Sequence, residues 1–137
     1  MYIYEVRIAY KWGELPPINM DKVAEALRRL SETNQDIVGA AIVSNEGLML
    51  VGEIPANMDK DLVSAAFAAL VSIAERASHQ VELGNLSQLI MLSENGGVLI
   101  CSGKRSSLVL LMKPDANLGL ILMDVANVME EIKDILG

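Results

Sequence analysis

Few residues in this chain could do chemistry, and their spacing does not assemble a reaction. There is one histidine, His79, and one cysteine, Cys101. Nucleophilic catalysis needs a nucleophile held beside a base. Cys101 lies inside the apolar run Val98-Leu99-Ile100-Cys101 and reads as a core thiol. His79 falls near the end of a helical pattern, where a cation meets the negative end of the helix dipole, so it reads as a helix-end residue. One His and one Cys leave a Cys/His zinc site without a ligand set. Carboxylates pair at Asp59/Asp61 and Glu130/Glu131. The first pair sits at a helix start, where acids are favoured, and the second on a solvated helix face. A phosphate loop would need Gly-x-x-x-x-Gly-Lys-Ser/Thr leading into a helix. Here Gly97 and Gly103 are separated by five residues, Arg105 follows Lys104, and the segment joins strands. No catalytic, cofactor-binding or metal-binding residue is assigned, no cofactor is expected, and the chain reads as a non-enzyme.

The elements that carry these residues follow from patterning. Tyr2 to Tyr10 alternate with a period of two and predict an N-terminal strand, broken by Gly13 and Pro16-Pro17. Asn19 is placed to cap a helix with Asp21 in its first turn and a buried stripe of Val23, Ala26, Leu27 and Leu30, ending near Asn34. Ile37–Val43 and Leu48–Val51 are strands joined by the turn Ser44-Asn45-Glu46-Gly47. A second helix opens at Asn57-Met58-Asp59-Lys60 and runs to about Gln80. Strands at Leu86–Leu92, Val98–Cys101 and Ser107–Met112 follow, with Glu94–Gly97 and Gly103–Ser106 as turns. The last helix runs from about Ala116 to Leu136, burying Leu118, Ile121, Val125, Val128, Ile132 and Ile135.

Hairpin connections make the sheet largely antiparallel. Its strands are nearly continuous apolar runs rather than alternating ones, so both faces must be covered. The expected fold is an α/β three-layer sandwich: a five-stranded, largely antiparallel sheet between helices, plus an extra N-terminal strand. Residues 1–17 form that strand and a linker, and 18–137 the domain.

With 137 residues, one domain suffices, and 52% apolar residues can build a core without metals or disulfides. The formal charge of −7 argues against nucleic acid, which asks for a basic footprint, and against an anionic membrane surface. The longest uncharged helical stretch, Leu62 to Ala74, is too short to insert in a bilayer. A lone cysteine favours a reducing compartment and the start lacks a signal-peptide pattern, so a cytoplasmic location is expected.

The second helix carries the functional argument. Leu62, Val63, Ala65, Ala66, Phe67, Ala68, Ala69, Leu70, Val71, Ile73, Ala74 and Ala77 leave almost no polar face. A helix apolar all round is buried all round. The first and last helices are amphipathic and read as neighbours on one side of the sheet, which leaves the second alone on the other. A twofold copy of the same helix would bury its back, the alanines with Ser64 and Ser72 permitting close approach. The competing reading is a monomer whose N-terminal strand or a loop covers that helix.

Three segments resemble the Roadblock domain family, that of the dynein light chain roadblock and its prokaryotic relatives. They are Val38–Leu48, the alanine-rich helix running into Leu83-Gly84-Asn85-Leu86, and Lys113-Pro114-Asp115-Ala116-Asn117-Leu118-Gly119-Leu120. The resemblance covers all but about the first 20 residues and implies dimerisation through the second helix and the third of five strands. On this chain those are roughly Lys60 to His79 and Leu86 to Leu92, with Ala65, Ala66, Ala69, Ser72, Ile73, Leu86, Gln88 and Ile90 as interface candidates. It also implies binding of a small Ras-like GTPase, which supplies the nucleotide site, with the dimer as GTPase-activating partner or recruitment platform. No arginine is assigned as a catalytic finger.

The docking surface would lie on or beside the paired second helices, where Glu75 and Arg76 are candidate exposed residues. The sequence departs from the family in its N-terminal arm, which holds Tyr2, Tyr4, Tyr10 and Trp12, four of the five aromatics. The arm can protect the free sheet edge, or Tyr4 and Trp12 can serve as a partner handle. The alternative function is a constitutive structural adaptor that ignores nucleotide state. A profilin-like or longin-like domain would share the architecture.

Overall fold

A computed structural model describes residues 2–3 and 20–137 of the chain. The elements in order are β1 (Tyr2–Ile3), α1 (Met20–Thr33), β2 (Ile37–Ser44), β3 (Met49–Glu53), α2 (Lys60–Gln80), β4 (Gln88–Ser93), β5 (Gly96–Ser102), β6 (Ser106–Met112) and α3 (Leu118–Leu136). Five strands form an antiparallel sheet in the order β3-β2-β6-β5-β4, with the two-residue β1 against the outer edge of β3. In that short pairing Tyr2 lies opposite Gly52 and Ile3 opposite Val51. Residues 4–10 of the expected N-terminal strand, the capping Asn19 and the candidates Tyr4 and Trp12 lie outside the described residues.

Helices lie on both faces of the sheet, as the continuous apolar strands require, but β4 at the edge stays largely exposed. One core layer joins Leu27 and Leu30 of α1, Ile121, Val125 and Ile132 of α3, and Ile42, Leu99, Leu108 and Leu110 of the sheet. The other joins Ala41, Val43, Ile100, Val109 and Leu111 to Val71 of α2, with Phe67 and Leu70 packed against them. Among the described residues the sandwich therefore has two helices on one side and α2 alone on the other.

The helix starts show local chemistry at work. Asp59 caps α2, its carboxylate accepting from the Asp61 and Leu62 amides at 2.9 and 3.2 Å. The last helix starts two residues later than the sequence suggests. Asn117 caps it by accepting from the Leu120 amide at 3.1 Å, and Asp115 before it has φ +59°. Lys113–Ala116 therefore form the turn that delivers the chain to the cap.

The β5–β6 connection finishes the other end of α3. The Arg105 amide donates to the Leu136 carbonyl at 2.9 Å, its guanidinium donates to the Asp134 carbonyl at 2.7 Å, and the Ser106 hydroxyl donates to the Ile135 carbonyl at 2.7 Å. These satisfy carbonyls that a helix end leaves without partners. The Gly97–Ser106 segment is a pair of strands closed by a capping turn, not a nucleotide loop.

Candidate protein-binding interface

A 21-residue helix normally buries a full stripe against its sheet, yet α2 fully buries only Ser64 and Val71. Val63, Phe67, Ala68 and Leu70 are half-buried beside them. Ser64 faces inward because its hydroxyl turns back to the Lys60 carbonyl at 2.7 Å, removing the need for another partner. The outer face carries Leu62, Ala65, Ala66, Ala69, Ser72, Ile73, Arg76 and Ala77, all exposed. Leu62 is 70% exposed and Ile73 63%. Small side chains between two large apolar ones make this face low and flat enough for a second helix to approach closely.

The edge beside it is equally bare. Among the described residues β4 pairs only with β5, and its other side carries no strand partner. Leu89 and Met91 oppose Ile100 and Val98 and lie on the α2 face, while Gln88 and Ile90 oppose Cys101 and Leu99 and lie on the α3 face. Leu86 is half-buried in the α2-side core. The eight interface candidates thus divide. The five on α2 form one exposed stripe, Leu86 supports it from below, and Gln88 and Ile90 reach the edge by backbone but turn their side chains to the opposite layer.

Glu75 and Arg76 differ in kind. Arg76 is exposed. Glu75 is half-buried and both oxygens are used: Oε2 accepts from the Leu86 amide at 3.1 Å, and Oε1 lies 3.0 Å from His79 Nε2. Its role is to tie α2 to the start of β4, so only Arg76 of the pair is available to a partner. Sequence spacing could not show this, because the bond to Leu86 forms only after the chain turns back at Val81–Asn85.

His79 belongs to the last turn of α2, as expected of a helix-end residue, and Cys101 is buried. Burial pushes the Cys101 thiol up to about 11, against a smaller opposing effect of the Gln88 side chain. Glu131 pairs with Arg29 of α1 at 2.9 Å and Glu130 with Lys133 at 3.4 Å. Among the described residues no group of His, Cys, Asp or Glu could hold a metal ion, and no helix is long and apolar enough to cross a membrane. An open cleft of about 590 Å³ lies between the C-terminal half of α2 and the β5–β6 turn, with Ser72, Glu75, Asn85 and Lys104 on its walls. Glu75 is already engaged there, with Leu86 and His79.

The chain is thus an α/β sandwich with an exposed apolar helix face beside a strand edge that is unpaired among the described residues. Comparison with known proteins gives the family. The Roadblock/LC7 domain model matches residues 23–112, and the chain belongs to that family. The match ends at Met112, so the Lys113–Leu120 turn and α3 lie beyond it. The chain is similar to "Uncharacterized protein MJ1340" of Methanocaldococcus jannaschii, 31% identical over 111 residues, covering 81% of this chain and 96% of that protein. Its fold is similar to Myxococcus xanthus MglB, with TM-score 0.79 at 15% identity over 88% of this chain and 92% of that one. A Roadblock/LC7 domain from Streptomyces avermitilis gives TM-score 0.74 at 16% identity, over 82% and 96% of the two chains.

Proposed function

We propose that this protein is a non-catalytic homodimeric regulator that binds a small Ras-like GTPase, as activating partner or recruitment platform. One observation carries the reading: α2 exposes Leu62, Ala65, Ala66, Ala69 and Ile73 beside the unpaired edge of β4. A second copy suits both surfaces at once. Antiparallel β4 edges can pair across a twofold axis, and the flat stripes of two α2 helices then pack over the seam. Such an isologous contact would remove large apolar side chains from water and satisfy the strand edge together. The family resemblance supplies the GTPase, and the paired α2 helices with Arg76 beside them are its docking surface. MglB, whose fold this chain shares, is known in one structure with a tetrameric arrangement, which fits a fold that self-associates.

The test has two stages. Light scattering after size exclusion should give the mass of two chains, unchanged on dilution to low micromolar concentration. The dimer should then bind a small Ras-like GTPase of the same genome in one nucleotide state and not the other. A stable monomer sinks the dimer. A dimer that binds no GTPase in either state removes the regulatory reading. A constitutive partner held equally in both states, and lost when residues 1–15 are deleted, identifies the structural adaptor instead.

A further inference from the structure

With a net charge of −7, a cation of this chain has many acids to pair with. Most of the described lysines and arginines are engaged. Arg28 meets Glu25, Arg29 meets Glu131, Lys113 meets Asp36, Lys133 meets Glu130, and Arg105 donates to the Asp134 carbonyl. Lys22 and Lys60 have partners as well. The side chains of Arg76 and Lys104 are the two that have none among the described residues, and both are exposed.

Both stand beside one polar cleft, that of about 590 Å³ between α2 and the β5–β6 turn. Lys104 lines it from the turn. Arg76 lies one helical turn beyond Ser72, which lines it from α2, and residues four apart share a flank. Other hydrogen-bonding groups there are open too. The side chains of Ser72, Asn85 and Ser102 make no hydrogen bond among the described residues. Asn45 donates from Nδ2 to the Lys104 carbonyl at 2.6 Å, which leaves Oδ1 as an acceptor. Glu75 is the one side-chain carboxylate on the walls among the described residues, and the Leu86 amide and His79 take its oxygens.

We propose that this cleft binds an extended acidic segment of a partner protein, its carboxylates on Arg76 and Lys104 and its main chain on Asn45 and Asn85. Two cations on opposite walls suit two separated negative charges, which alternate acids of an extended chain supply. A single phosphate would instead ask for donors that converge on one point. Side-chain amides donate and accept at once, as peptide groups do. Among the described residues no aromatic ring lines the cleft, so a nucleotide base has nothing to stack on. At physiological salt a charge is screened within about 8 Å, so the two local cations outweigh the distant acids behind the net charge. The cleft is complete within one protomer, and the inference stands apart from both the dimer and the GTPase.

The probe is a fluorescent peptide of alternating Glu and Ser, about eight residues long, with Gln/Ser and Lys/Ser peptides of the same length as controls. Full-length protein is titrated at physiological salt. The Glu peptide should bind at least about fivefold more tightly than the Gln peptide. The side-chain amide resonances of Asn45 and Asn85 should shift, while that of Asn34, which donates to Asp124 of α3 at 2.9 Å, should not. Arg76→Gln with Lys104→Gln should keep the circular dichroism spectrum and bring the Glu peptide down to the affinity of the Gln peptide. Arg76→Lys with Lys104→Arg, which retains both charges, should keep the preference. Equal binding of the Glu and Gln peptides, a tighter Lys peptide, no loss in the double Gln variant, or a shift at Asn34 in place of Asn45 and Asn85 overturns the proposal. Inorganic phosphate that displaces the peptide at equal concentration assigns the site to a small anion and overturns the segment. A solution mass that falls when the Glu peptide is added assigns the cleft to acids of a second copy and overturns the partner. A GTPase that fails to bind changes none of these readouts.

Discussion

The Asp36 carboxylate joins the α1–β2 turn to the start of α3. It accepts from the Asn117 amide at 2.8 Å and faces the Lys113 ammonium at 3.0 Å. The Asn117 amide first, then Lys113, hold its carboxyl below the ordinary value of 3.8. A lowered carboxylate pKa contributes stability above the unfolded pKa, and that contribution is lost as pH falls through the folded value. Asp36→Asn should therefore melt below the parent near neutral pH, and the gap should close as pH falls below about 4. A gap that stays constant down to pH 2 would refute the ionic role. Cys101 offers a second test. With its pKa at about 11, on the order of 0.1% of the thiol is ionised at pH 8. Iodoacetamide should leave the native thiol unmodified for hours and label it within minutes in denaturant; rapid native labelling would contradict its burial. The sequence shows that Cys101 is a core residue, because an apolar run surrounds it. It does not show that Asp36 and Asn117 meet, since 80 residues of chain intervene.

At the scale of elements, caps and close approaches set the boundaries. Asp59→Ala removes the acceptor for two amides at the start of α2 and should cost about 1 kcal/mol in denaturant unfolding. No loss beyond experimental error would mean that water replaces the cap. The helix start is readable from Asn57-Met58-Asp59-Lys60 because it is local chemistry, and the structure puts the cap on Asp59. Gly52 is different. It sits in β3 with φ +150°, and a Cβ there would strike the backbone of Ala41 in β2. Gly52→Ala should give little folded protein, judged by amide dispersion in NMR spectra. A stable, fully dispersed Gly52→Ala variant would show that the two strands can separate at low cost. In the sequence this residue is only a glycine in an apolar strand; the constraint comes from the neighbour that register places against it.

At the scale of the whole molecule, the two helical layers are unequal. Among the described residues two amphipathic helices cover one face, and a nearly all-apolar helix lies by itself on the other with its outer stripe exposed. If a twin helix buries that stripe, a charge at its centre must be expelled. Ile73→Lys should convert the dimer to a monomer at low micromolar concentration, read by light scattering, while a surface change such as Glu32→Lys should not. Persistence of the dimer in Ile73→Lys would move the interface away from α2. Here the division between sequence and structure is sharp. Periodicity is a property of neighbouring residues, so the sequence by itself determined the strands and helices, the need to cover both sheet faces, and the excess apolar surface of α2. The strand order β3-β2-β6-β5-β4, the turning of Gln88 and Ile90 toward α3, and the engagement of Glu75 by Leu86 were decided only by the tertiary structure. Each depends on register between segments, and a shift of one residue would send every side chain of the strand to the opposite layer.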